Sequence, residues 1–117
     1  TVADGSGTAS SEEDEMTNPG EHKTMLLVED NLELRFFLRS IFLSEFNVIE
    51  ATNGTEGLAK ALKFVPDIII SDIMMPEMDG IEYLKRVKGN NDICHIPIIL
   101  LSAKEILPAT SQRLLTR

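Results

Sequence analysis

Short, unbroken apolar runs that end on acidic or hydroxyl residues constrain this chain more than anything else in it. In Asp67-Ile68-Ile69-Ile70-Ser71-Asp72 four apolar or small residues follow one another without alternation, the pattern of a strand covered on both faces in a parallel sheet. Asp72 closes the run, and Pro76 followed by Asp79-Gly80 imposes a loop before any helix can begin. Ligands of open α/β sheets sit just beyond the carboxyl ends of the strands. Asp72 is therefore a candidate working residue.

Three more runs repeat the pattern. Thr24-Met25-Leu26-Leu27-Val28 is ended by Glu29-Asp30-Asn31, and Phe46-Asn47-Val48-Ile49-Glu50-Ala51 is a short second strand. Pro97-Ile98-Ile99-Leu100-Leu101 runs into Ser102-Ala103-Lys104. Between them lie helical periods. Leu34, Phe37, Leu38, Ile41 and Phe42 share one face behind a cap at Asn31. Leu58, Ala61, Leu62 and Val65 line a second helix, with Asn53-Gly54 as the turn, Thr55 as its cap and Pro66 as its stop. Ile81, Leu84 and Val87 mark a third, closed by Gly89-Asn90-Asn91. The order β-α-β-α-β-α-β predicts an α/β fold with a parallel sheet and right-handed crossovers.

Charge and composition exclude several classes. The 117 residues fit one domain, and the net charge of −8 is unevenly spread. Residues 1–22 hold six acids and no Lys or Arg, and the rest carries thirteen acids against eleven bases. The segment 1–22 therefore reads as an acidic flexible linker, and a nearly neutral domain offers no basic surface for nucleic acid. A lone Cys94 excludes an internal disulfide and fits a reducing, cytoplasmic compartment. No run has membrane-spanning length, and the start has neither a signal peptide nor an initiator Met, as expected of a piece of a longer protein.

Three strand ends carry chemistry: Glu29 and Asp30, then Asp72, then Ser102. Carboxylates gathered together raise one another's pKa unless a cation joins them. Mg²⁺ takes carboxylates, waters and phosphate oxygens. The inference is a Mg²⁺-dependent phosphoryl acceptor with Asp72 as nucleophile.

Taken together, Val28-Glu29-Asp30-Asn31, Asp72-Ile73-Met74-Met75-Pro76-Glu77-Met78-Asp79-Gly80 and Leu100-Leu101-Ser102-Ala103-Lys104 resemble a response-regulator receiver domain of two-component signalling. The resemblance covers residues 23–105 and implies a flavodoxin-like, doubly wound parallel sheet with strand order 2-1-3-4. It implies that Asp72 takes a phosphoryl group from a phosphohistidine on a histidine kinase or histidine phosphotransfer domain. Asp30, Asp72 and the backbone carbonyl of Met74 would ligate Mg²⁺, and Glu29, where the family often has Asp, would act mainly through water. Ser102 matches the switch hydroxyl, beside a small Ala103. Pro76 and Gly80 would shape the loop after the acceptor, and the acidic linker fits a hybrid histidine kinase as parent.

The match fails at residues 106–117. The family's fifth strand, its Lys-Pro and its fifth helix have no counterpart in this atypical tail, and neither Lys104 nor Arg113 replaces that Lys. Truncation, frameshift and divergence all remain open. The expectation is an open fourth-strand edge prone to self-association. It also leaves an alternative function, a pseudo-receiver that binds partners with little or no phosphorylation. Two other classes fit poorly. A haloacid-dehalogenase-type enzyme needs Asp where Met74 stands, and a flavin binder would lack a phosphate cradle after the first strand. His95 beside Cys94 reads as loop, Met74, Met75 and Met78 as packing at the pocket mouth, and Tyr83 as surface or helix packing.

Overall fold

The structure is a computed structural model that describes residues 22–102. The acidic segment through residue 21 and everything after Ser102 lie outside the described residues. So do Ala103, Lys104, the tail and the expectations attached to them.

Four strands alternate with three helices: β1 (Lys23–Val28), α1 (Leu32–Phe42), β2 (Phe46–Ala51), α2 (Gly54–Phe64), β3 (Ile68–Asp72), α3 (Gly80–Lys88) and β4 (Ile98–Leu101). All pairings are parallel and the order is β2-β1-β3-β4, the expected 2-1-3-4 arrangement. Two cores form, one on each face of the sheet. Met25, Leu27, Val48 and Ile70 pack with Leu34 and Leu38 of α1. Leu26, Val28, Ile49 and Ile69 pack with Ala61, Tyr83 and Val87 of α2 and α3. Successive strand residues point to opposite faces, so a strand with helices on both sides has no polar position to offer. That is why β1 reads as an unbroken apolar run. Each such side chain contributes roughly 1.5–3 kcal/mol on burial.

Asn31 caps α1 as expected, its side chain accepting from Leu34 N at 2.8 Å. The cap of α2 is Asn53 rather than Thr55: its Oδ1 accepts from Glu56 N at 2.7 Å, and Gly54 is already helical. A Cβ on Gly54 would lie 2.5 Å from the Met78 sulfur, so the helix begins on the one residue that lets Met78 lie against it. Asp79 caps α3 by the same bond to Glu82 N.

The helical faces differ from the apolar stripes in part. Ile41, Leu62, Val65 and Ile81 are exposed. The buried residues are Gly54, Gly57 and Ala61 in α2 and Gly80, Tyr83 and Val87 in α3. Small residues let these helices approach the sheet closely, and the larger apolar side chains flank the contact. Val65 has left the helix altogether. It is the C-cap, at φ 45°, because Pro66 disfavours helical backbone in the residue before it. Cys94 and His95 are exposed loop residues, but Ile93 and Ile96 on either side are buried in the α2–α3 core.

Candidate functional site

The register brings the acidic residues together. Val28 of β1 pairs with Ser71 of β3, so the next residues, Glu29 and Asp72, leave neighbouring strands side by side at the carboxyl edge of the sheet. One carboxylate oxygen from each of Glu29, Asp30 and Asp72 lies within 4.8 Å of the others. Glu29 and Asp72 are buried, at 0% and 3% exposure.

Local bonds hold the segment carrying Glu29. Its N–H donates to Ala51 O at 3.0 Å, continuing the ladder with β2. Its carbonyl accepts from Arg35 Nη1 at 2.8 Å, and its Oε2 accepts from Asn31 N, also at 2.8 Å. Oε1 is buried with no hydrogen-bond partner among the described residues. Burial pushes the Glu29 carboxyl up to about 9; the Asn31 amide opposes that rise, and the neighbouring carboxyls of Asp72 and Asp30 add to it.

On the other strand, Ile73 N donates to Leu101 O at 2.9 Å and Gly80 N to Ile73 O at 2.8 Å, so the loop after Asp72 folds back onto the strand end. A Cβ on Gly80 would lie 2.5 Å from the Asp72 carbonyl oxygen. Glycine is therefore required where α3 starts. Met75 is buried and Met78 packs on the core, in keeping with packing at the pocket mouth, whereas Met74 is exposed two residues beyond Asp72. Ser102 is exposed and follows Leu101, the β-partner of Asp72.

These residues fit a hard divalent cation. All three side chains offer oxygen, as Mg²⁺ prefers, and a buried carboxylate oxygen that no donor reaches is a natural ligand atom. Glu29, Asp30 and Asp72 are thus brought together, while Met74 lies two residues beyond β3 and Ser102 follows the neighbouring β4. Tyr83, read from the sequence as surface or helix packing, is buried between α2 and α3, and the role of Arg35 went unrecognised in the sequence. Arg35 reveals itself only through Glu50, fifteen residues on, which its Nε meets at 2.9 Å.

Among the described residues no helix is long and apolar enough to cross a membrane. The family model of the response regulator receiver domain matches residues 25–115. Over 87 residues, 74% of this chain, the sequence is 39% identical to histidine kinase P4 of Formosa agariphila, and the match spans only 6% of that relative. Over 82 residues it is 38% identical to the polar-differentiation response regulator DivK of Brucella anthropi, covering 69% of this chain and 67% of DivK. Among solved structures, chemotaxis protein CheY4 of Vibrio cholerae superposes with a TM-score of 0.66 at 32% identity, over 81% of this chain and 79% of that one. With three carboxylates at the expected strand ends, a 2-1-3-4 parallel sheet and these relatives, the chain belongs to the response regulator receiver domains of two-component signalling.

Proposed function

We propose that this domain accepts a phosphoryl group on Asp72 from a phosphohistidine carried by a histidine kinase or histidine phosphotransfer domain. The observation that carries the reading is the convergence of Glu29, Asp30 and Asp72 within 4.8 Å, with Asp72 buried at the end of β3. Relatives named as histidine kinases and as response regulators support a partner of this kind. The 6% span of P4 fits a receiver that forms a small part of a longer hybrid kinase.

An Asp72 carboxylate oxygen attacks phosphorus and forms the new O–P bond. The P–N bond to the histidine breaks, and its electron pair returns to the imidazole nitrogen. Glu29, Asp30 and Asp72, with the Met74 backbone carbonyl, would hold Mg²⁺, which when bound neutralises charge on the phosphoryl oxygens. Glu29 is oriented by the Asn31 amide, which leaves its second oxygen for the cation or a water bound to it. Gly80 lets the following loop close against the strand end without displacing the Asp72 carbonyl. Ser102, leaving the strand paired with β3, is assigned the hydroxyl that hydrogen-bonds the phosphorylated aspartate. Phosphoryl transfer asks a protein mainly for positioning and charge neutralisation, and this set supplies both.

The test is incubation with Mg²⁺ and acetyl phosphate, followed by intact-mass measurement. The wild-type chain should gain one phosphoryl group, and Asp72→Asn should not. A wild-type protein that stays unmodified while binding a phosphotransfer partner would instead be a pure interaction module.

A further inference from the structure

We propose that Arg35 is a positioning residue for the metal-binding carboxylates, acting through the backbone of Glu29; this rests on the Mg²⁺ reading of the site given above. Glu29 and Asp30 belong to neither strand nor helix, since β1 ends at Val28 and α1 begins at Leu32. One ladder bond, from Glu29 N–H to Ala51 O at 3.0 Å, carries the backbone past the end of β1, where three carboxylates crowd within 4.8 Å. Arg35 adds a second backbone restraint, on the Glu29 carbonyl. Its Nη1 donates to the Glu29 carbonyl at 2.8 Å while its Nε donates to Glu50 Oε1 at 2.9 Å, and its side chain is 11% exposed.

Glu50 is itself fixed. Its second carboxylate oxygen meets Arg39 Nε at 3.0 Å, and Lys60 Nζ donates to its backbone carbonyl at 2.7 Å. A chain of contacts thus runs from β2 and α2 through one guanidinium to the loop bearing two of the three ligands. The guanidinium plane makes the two bonds from different nitrogens at a fixed angle. A lysine, with one ammonium at the end of a flexible stem, cannot reproduce that span. Bonds from partners that orient metal ligands typically alter metal affinity by about 10–100-fold.

The experiment titrates MgCl₂ into the full chain by calorimetry and follows amide hydrogen exchange in the metal-free protein. Arg35→Met and Arg35→Lys should both weaken Mg²⁺ binding by about 10–100-fold. Both should also speed exchange at the Glu29 and Asn31 amides by about tenfold or more, with Tyr83 and Gly57 amides unchanged. Glu50→Gln keeps an acceptor for Arg35 Nε and should stay near wild type, whereas Glu50→Met should follow the Arg35 variants. Rescue by Arg35→Lys would show that charge alone matters and would overturn the inference. So would a lowered melting temperature with unchanged Mg²⁺ affinity in the folded variants, the mark of a purely structural role. If the wild-type chain binds no Mg²⁺, the reading of the site fails, and exchange at residues 29 and 31 still decides whether Arg35 holds this loop.

Discussion

The Tyr83 hydroxyl of α3 donates to the Gly57 carbonyl of α2 at 3.1 Å, and the ring fills the space that a side chain on residue 57 would need. A Cβ there would meet Tyr83 Cε1 and Oη at 3.1 Å and Val28 Cγ2 at 3.0 Å. One residue without a side chain and one with a large ring thus lock two helices to the central strand. The arrangement is sensitive to alkali. Burial raises the Tyr83 phenol above its ordinary 10.0. A folded-state pKa above the unfolded one means that the contribution is intact below pH 10.0 and is lost as pH rises toward the folded value.

Tyr83→Phe should therefore cost about 0.5–1.5 kcal/mol at neutral pH through the lost hydrogen bond. It should also flatten the decline in stability above the ordinary tyrosine range. Urea melts across that range check both. Parallel declines for wild type and variant would mean that another group governs the alkaline limb.

Glu29 sets a second pH dependence, in the metal-free protein. Its carboxyl is raised from 4.5 to about 9, first by burial and then by Asp72 and Asp30, against the Asn31 amide. Its contribution to stability is complete below pH 4.5 and is lost as pH rises through about 9. Glu29→Gln stays neutral and still accepts from Asn31 N–H. It should remove most of that slope, raise metal-free stability at the alkaline end and weaken Mg²⁺ binding. Thermal melts with EDTA and with Mg²⁺ check this. A wild-type protein equally stable across the window without metal would show that Glu29 is already ionised.

Val65 occupies left-handed backbone at φ 45°, where a β-branched residue is strained. The residue is 46% exposed, so little packing is at stake. Val65→Asn, which tolerates this conformation at a helix C-terminus, should raise stability by about 0.5–2 kcal/mol. Chemical denaturation measures it, and a loss of stability would mean that Val65 packs more than its exposure indicates.

These residues also show where the sequence was informative. Asp72, Glu29 and Asp30 could be brought together before any coordinates, because parallel strands of similar length place their carboxyl ends along one edge. The strand runs were legible because β1 and β3 are covered on both faces and so read as nearly unbroken apolar stretches, with only the small Ser71 inside β3. The helices were legible in extent but not in facing. Gly54 and Gly57 are buried yet carry no hydrophobic signal, and Ile81 and Leu62 carry a strong one yet lie outside. Whether Tyr83 faces inward depends on a glycine in another helix. Arg35 of α1 depends on a carboxylate on β2. Neither relation leaves a trace in local periodicity.

Gly80 joins the fold to the chemistry most directly. At an ordinary first helical position, alanine would be favoured over glycine by up to about 1 kcal/mol. Here a Cβ would lie 2.5 Å from the Asp72 carbonyl oxygen and 2.9 Å from Ile73 Cα, both backbone atoms. No flexible side chain can move aside. Gly80→Ala must push the start of α3 away from the end of β3 and strain the 2.8 Å bond from its N–H to Ile73 O. The expected cost is about 1–3 kcal/mol, as for overpacking in a core. The displacement reaches the acceptor strand itself, so the rate of Asp72 modification by acetyl phosphate should fall even where the variant is fully folded. Denaturant melts with time-resolved intact mass separate the two effects. An unchanged rate in a destabilised variant would show that the strand end holds its geometry independently of the loop.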